Sequence, residues 1–513
     1  MQKKLLLLCC VLLLCLTGCA VNPVTGKNEL SLVSEATEID IGNKQYSPSR
    51  QMQGGDYTAA PQVVSYVREV GQTLAAVSDR KLPYEFNVIN DSTPNAWALP
   101  GGKIVVNRGL LVELKSEAEL AAVLGHEIVH AAARHGAKGM ERGMMLQGAI
   151  LAAGIASHNS EYSQLALGGA AIAAQLITQK YGRDAEREAD HYGMIYMSRA
   201  GYDPHAAIDL QQTFVRLSEG GQSNWLSGLF ASHPPSQERV EANRKTAETL
   251  PAGGKIGRER YQKVMAPLFH DRGAYKAYDK GRKALHDGHI EQALQFTNQA
   301  LTLEPKEALF HSLRGDIRLK QQHYKDAITN YDRAIQHNSK YFHFYLQRGL
   351  AHLKLNEKSV GEADLKKSVK LLPTAPAMNA LGNLALERGD KETAKKYFAA
   401  AAGSSSNAGK AAAYSLVRLD LPDRPDKYLQ IRFGRDDNRY LLVQIRNTTA
   451  QTVQNVNFIV QFRDVQGNTR QVQLQLPDRL PPKKATIVST GIGPLADLNH
   501  VQGKVIGARI VEK

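Results

Sequence analysis

The chain has 513 residues and is basic, with 64 Lys and Arg against 50 Asp and Glu, a formal net charge of +14. That length leaves room for several hydrophobic cores. Its four cysteines stand at 9, 10, 15 and 19, so the remaining chain has no thiols for a disulfide framework and must be held by its cores.

Lys3 and Lys4 precede a short apolar run, Leu5 to Leu16, which has the form of a signal segment and is too short to span a bilayer comfortably. Leu16-Thr17-Gly18-Cys19 resembles a bacterial lipobox, which implies a signal peptide over 1–18, cleavage before Cys19 and lipidation of that thiol. Ala20 is not the Asp that lipoprotein sorting associates with inner-membrane retention, so this resemblance implies the periplasmic face of an outer membrane. Nucleic acid is not an expected partner of an exported chain, and the positive charge suits solubility or anionic surfaces.

Phe86 to Asn90 reads as a strand, and Asn95 to Leu99 and Lys103 to Asn107 flank a turn at Pro100-Gly101-Gly102. An edge strand here could receive an extended peptide by strand addition. Next comes His126-Glu127-Ile128-Val129-His130, an H-E-x-x-H string. Residues i and i+4 share a helix face, so His126 and His130 can bind one zinc ion together, with Glu127 beside them to act on a water there. Ser116 with Glu119 forms a capping-box pattern, and Gly136 is the expected helix stop. A metzincin extension needs Gly and His where this chain has Ala133 and Gly136, which excludes that subclass; His135 is out of register and reads as a polar residue near the helix end.

Residues 144–177 are apolar and rich in Ala and Gly, broken by Ser157-His158-Asn159-Ser160, and read as a buried helical hairpin or a lid over the site. In the acidic stretch that follows, Glu186 and Asp190 are again i and i+4, and Gly201 and Pro204 end the helix. Glu186 would complete a two-histidine, one-carboxylate set with an open fourth position. Asp190 would orient a ligand histidine from behind, and Glu188 points away and reads as solvated. A loop near 219–228 containing Gly220-Gly221 and Ser227-Gly228 precedes Ser232-His233-Pro234-Pro235. His233 is a candidate for two roles near the metal, stabilising the oxyanion or closing the site as an inhibitory fourth ligand; Arg239 could face the site or pair on a helix surface.

With these residues in place the chain resembles the HtpX/BepA-type family of zinc metallopeptidases, which includes the CAAX prenyl protease. The resemblance rests on Asn22-Pro23-Val24-Thr25-Gly26, on Asn95-Ala96-Trp97-Ala98-Leu99-Pro100-Gly101-Gly102, and on His126 to His130 with Arg134-His135. It also rests on Glu186 to Asp190 and on Ser232-His233-Pro234-Pro235 followed by Arg239. It implies a zinc endopeptidase with Glu186, not Glu188, as third ligand, acting on misassembled outer-membrane proteins and helping their assembly.

Pro251-Ala252-Gly253-Gly254 opens an expected linker over 251–270. Gly281, Gly315 and Gly349 then recur at intervals of 34, with Gly382 after 33, and Ala293, Ala327, Ala300 and Ala334 keep the same period. This is the tetratricopeptide pattern, expected to stack as an α-solenoid over 271–421. Its excess of basic groups reads as solvated helix faces. Beyond 422 the period falls to two: Val456, Phe458, Val460 and Phe462 alternate with polar residues, and Asp464 to Asn468 reads as a hairpin turn. The expectation is an antiparallel β-sandwich over 422–513 with an interaction role.

The whole is therefore expected to be multidomain α+β: a zincin-like metallopeptidase domain over 19–250, the solenoid, and the sandwich. Expected chemistry is hydrolysis of peptide bonds with one Zn2+ per chain, Glu127 serving as base. Expected partners are unfolded or misassembled outer-membrane proteins and, through the repeats, the outer-membrane assembly machinery. The rival expectation is a non-proteolytic assembly scaffold whose peptidase site is latent.

Overall fold

The computed structural model describes residues 19–142, 181–219, 232–464 and 466–511. The expected signal segment 1–18, the apolar stretch 144–177 and the loop expected before Ser232 lie outside the described residues. The chain forms two compact units, one of Met1–Glu357 with Lys370–Leu372 and one of Lys358–Val369 with Pro373–Lys513. Both are assembled as the expected multidomain α+β architecture.

The first unit opens with a hairpin of β1 (Cys19–Val21) and β2 (Asn28–Leu30). Helices α1 (Glu35–Met52) and α2 (Pro61–Ala76) follow, then β3 (Glu85–Ile89), β4 (Ala96–Leu99) and β5 (Lys103–Asn107). The sheet order is β3-β5-β4, with β3 parallel and β4 antiparallel to β5. Strand β4 is thus an edge strand, as expected, with all four residues buried. Helix α3 (Glu117–Ala132) carries H-E-x-x-H and is buried on nearly all sides. Helices α4 (Arg183–Arg199), α5 (His205–Glu219) and α6 (Gln237–Glu248) complete the described peptidase region.

Helix α3 is fastened at both ends. Ser116 accepts the Glu119 N–H at 3.1 Å, while the Glu119 carboxylate accepts the Lys115 N–H at 2.7 Å. Buried Glu117 accepts from Tyr66 and Tyr202, each at 2.8 Å, and pairs with Lys255. Gly136 does not end the helix. The cap is Ala133, and the left-handed residue is Arg134, with φ of 63°. That conformation costs a β-carbon residue roughly 1–2 kcal/mol. It is offset by ion pairs of Arg134 with Glu38 at 2.6 Å and Glu141 at 3.2 Å.

The expected linker also needs correcting. Residues 258–270 form helix α7 (Arg258–His270), and its Tyr261, Met265 and Leu268 are buried at apolar helical spacing. Just before it, the Ile256 carbonyl accepts the Ala118 N–H at 3.0 Å, so the stretch packs on the start of α3. One core runs from Leu74, Val106 and Leu124 through Tyr261 to Phe310 and Phe344 of the repeats. The early repeats thus share the peptidase core.

Repeat helices follow the expected period. Gly315 in Ala308–Lys320 faces Tyr331, where a Cβ would lie 2.6 Å from the ring; Gly382 in Ala375–Glu387 meets Phe398 in the same way, at 2.5 Å. Only glycine allows these helix pairs to close so far.

In the second unit, β6 (Leu429–Arg435), β7 (Leu441–Asn447) and β10 (Ala485–Ser489) form one antiparallel sheet. Strands β8 (Val453–Arg463), β9 (Thr469–Gln475) and β11 (Gln502–Ile510) form the other. Val443, Ile445, Val456, Phe458 and Val460 share the core between them, which makes a sandwich. Asp420, fully buried, ends the last repeat helix (Asn407–Asp420) and accepts from Arg424 at 2.8 Å, Tyr428 at 2.9 Å and Lys427 at 3.1 Å. Burial pushes its carboxyl up, but Lys427, Tyr428 and Arg424 together hold it below the usual value. Asp420→Asn should cost about 2 kcal/mol at neutral pH, the scale of hydrogen bonds to a charged group. A depressed folded pKa gives stability that is present above the unfolded value, about 4, and lost as pH falls through the folded one. Faster hydrogen exchange in β6 and β7 at pH 7, converging with wild type in acid, is the expected result; equal exchange at pH 7 would remove Asp420 as a tie.

Candidate active site

Helix α4 crosses α3 where Gly193 meets Gly125. A Cβ on Gly193 would lie 3.0 Å from the His126 nitrogen, and one on Gly125 would lie 3.1 Å from the Gly193 oxygen. This approach sets the Glu186–Asp190 face of α4 against the His126–His130 face of α3. His233 arrives just before α6, whose N-cap Ser236 accepts the Arg239 N–H at 3.2 Å.

Four side chains converge: His126, His130, Glu186 and His233 each offer a ligand atom, all within 4.8 Å of one another. The two Nε2 atoms of His126 and His130 are 3.0 Å apart. His233 Nδ1 lies 2.9 Å from Glu186 Oε1 and 3.2 Å from His126 Nε2. His130 Nε2 lies 3.4 Å from Glu186 Oε1. Glu127 is beside them, 2% exposed, with Oε1 3.6 Å from His233 Nε2 and Oε2 buried without a hydrogen-bond partner among the described residues. Two or three imidazoles and a carboxylate are a donor set that suits a divalent metal ion, and the orphaned Glu127 oxygen faces work other than structure, so the residues fit such an ion.

The surroundings prepare these donors. Burial pushes the His130 imidazole well below its usual pKa, which keeps its lone pair available. Burial raises the Glu127 carboxyl, the direction a proton acceptor needs. Glu186 is also pushed up by burial, yet His233 and His126 hold it well below the usual carboxylate range. Asp190 Oδ1 lies 2.9 Å from His126 Nδ1, and the Arg239 guanidinium donates to both Asp190 oxygens at 2.7 Å. Arg239 Nη1 is also 2.9 Å from Glu186 Oε2, at an angle unsuited to a hydrogen bond. Arg239 is therefore buried at the site and not paired on a helix surface.

Two expectations change here. His135 is buried, with Nδ1 2.9 Å from His130 Nδ1 and Nε2 3.2 Å from Glu188 Oε2. Glu188 is accordingly half-buried and paired, not solvated, with Lys27 3.6 Å away on its other oxygen. Tyr181, which sequence reasoning did not single out, stacks on His130 with ring centroids 4.0 Å apart. No local spacing announces either contact, and by its position in the sequence His135 reads only as a polar residue near the helix end. A small cavity, about 60 Å3, opens beside Glu127 and is walled by Ala96, Val123, Met194, Met197 and Phe214.

A metal-ready H-E-x-x-H helix, a carboxylate from a crossing helix and repeats behind them define a metallopeptidase-type domain joined to a helical-repeat region. Residues 61–247 match the family model of peptidase family M48, and residues 315–356 and 375–407 match tetratricopeptide-repeat models. The chain is 32% identical over 198 residues to the putative beta-barrel assembly-enhancing protease of Vibrio cholerae, covering 37% of this chain and 40% of that one. It is 38% identical over 189 residues to the mitochondrial metalloendopeptidase OMA1 of Schizosaccharomyces pombe, covering 36% of this chain and 52% of that one. With the beta-barrel assembly-enhancing protease of Escherichia coli it shares 24% identity over 347 residues, 61% of this chain and 69% of that one. The chain thus spans about half the length of the first relatives it matches.

Proposed function

We propose that this chain is a zinc-dependent endopeptidase, lipid-anchored at Cys19 on the periplasmic face of the outer membrane, that cleaves misfolded or misassembled outer-membrane proteins. The observation that carries it is the convergence of His126, His130 and Glu186 with the unpartnered Glu127 oxygen beside them. The names of the bacterial relatives support β-barrel assembly as its setting. Among the described residues no helix is long and apolar enough to cross a membrane.

His126, His130 and Glu186 would hold zinc. Zinc, when bound, supplies Lewis acidity to the attacking water and the scissile carbonyl. Asp190 fixes the His126 ring so that Nε2 faces the site, and His135 does the same for His130. Glu127 takes the proton of the attacking water and delivers it to the leaving amine. Arg239 balances the charge of Asp190 and keeps that carboxylate ionised against His126. The repeats would recruit clients or assembly partners. Cleavage of a denatured outer-membrane protein, abolished by a chelator and restored by zinc, is the expected result; cleavage indifferent to chelation sinks the reading.

The second reading is a scaffold with a latent site, and the place of His233 favours considering it. Its Nδ1 sits among the donors, where a fourth protein ligand makes a closed site. On this basis His233→Ala should keep its zinc and cleave several-fold faster than wild type. If His233 instead stabilises the transition state, the variant keeps zinc and loses activity. Normal zinc with normal turnover would exclude both roles.

A further inference from the structure

We infer that the outward face of the β1–β2 hairpin is a bilayer-seating surface that holds the C-terminal end of the metal-binding helix rigidly at the lipid. The inference rests on the reading of Cys19 as the lipidated residue.

The hairpin pairs Cys19 with Leu30, Ala20 with Glu29 and Val21 with Asn28. Residues opposite each other, or two apart on one strand, share a face. Val21, Asn28 and Leu30 therefore lie on one side and Glu29 on the other. Glu29 turns inward, 2.7 Å from Lys138 and 2.9 Å from Asn22. The opposite side carries exposed Asn28 together with bare apolar side chains: Val21 is 61% exposed and Leu30 40%, and Leu32 just beyond is 52% exposed. Large apolar side chains exposed elsewhere among the described residues are scattered singly along the chain, whereas these three fall within twelve positions, beside the acceptor cysteine. A patch of three apolar side chains is too small to hold a protein on a membrane alone, but beside a covalent lipid it adds buried apolar area that fixes how the protein sits on the bilayer. The occupant is thus the bilayer into which the Cys19 lipid inserts.

The hairpin is not a loose tether. Asn22, 2% exposed, donates to the Ala133 carbonyl at 3.2 Å, three residues beyond the ligand His130. Glu141 Oε1 accepts the N–H groups of Leu32 at 2.9 Å and Val33 at 3.0 Å, and Arg134 donates to the Val33 carbonyl. Three residue steps separate Cys19 from Asn22, roughly 10 Å of extended chain. The anchor and the end of α3 are consequently one body. The site would then act on segments presented at the membrane surface and would not sweep the periplasm on a flexible leash.

Once the signal segment is removed and Cys19 acylated, an introduced cysteine is the single free thiol. Lipidated full-length protein carrying Leu30→Cys is labelled with an environment-sensitive dye and placed in phosphatidylethanolamine–phosphatidylglycerol vesicles containing headgroup-region nitroxide lipid. The same dye at Ile487→Cys, where the native side chain is 60% exposed, is the control. The expected result is quenching at position 30 several-fold stronger than at 487. Adding Val21→Asn and Leu32→Asn should bring it down to the control while intact mass and flotation show the lipid retained. Acylated, floating protein whose position 30 is quenched no more than 487 overturns the seating surface and leaves the anchor standing. Protein without acyl chains that fails to float overturns the anchor and the surface together.

Discussion

Glu127→Gln is expected to reduce cleavage of a denatured outer-membrane protein by about 10²–10⁴-fold, the range that general acid–base catalysis contributes. The amide has nearly the same shape, so the substitution removes proton acceptance and little else. Glu127 is not among the four converging donors, so zinc content should stay that of wild type. Its Oε2 has no hydrogen-bond partner among the described residues, which limits the structural cost of the change. A fall in kcat with KM and zinc unchanged is the expected signature. Wild-type turnover at full zinc occupancy would falsify the assignment, and equal background cleavage by both proteins would favour the scaffold reading.

Glu186→Ala is expected to take zinc from one per chain to below detection after dialysis. It deletes the anionic ligand of the proposed set and leaves two imidazoles, with His233 as the remaining member of the converging group among the described residues. His126→Ala should behave alike. Glu188→Ala is the informative contrast. Glu188 reaches the metal-binding ring only through His135 and His130, so its loss should weaken zinc by about 10-fold, the lower end for a residue supporting a ligand. Elemental analysis with a chelator competition reads all three, and a thermal melt separates metal loss from unfolding. Full zinc affinity in folded Glu186→Ala would remove Glu186 from the ligand set.

How much of the site could be read beforehand follows from the range of each interaction. His126 with His130, and Glu186 with Asp190, are pairs one helical turn apart, and that spacing is a local property of the chain. The repeat glycines and the alternation of Val456, Phe458 and Val460 are local in the same sense: a helix pair or a sheet face imposes its period on the residues that build it. Helix ends and linkers are also judged by local composition, and here it misled. Gly136 has the better propensity for a helix stop, but Arg134 takes the left-handed position because Glu38 and Glu141, distant or on the next turn, reward its side chain there. Pro251-Ala252-Gly253-Gly254 has loop composition, yet the buried seam of Tyr261, Met265 and Leu268 a few residues on ties the same stretch into the core.

The sequence by itself determined which residues could be ligands, which glutamate could be the base, and that helical repeats and a β-sandwich follow. Only the tertiary structure decided which groups stand behind them. The contact of Gly125 with Gly193 sets the crossing of α3 and α4, and that crossing brings Asp190 to His126 and Glu188 to His135. Arg239 joins Asp190 across 49 positions and His233 joins His126 across 107, distances over which no period in the chain carries information. Such contacts exist because burying a charge demands a partner from whichever element packs alongside, and packing is a property of the whole fold.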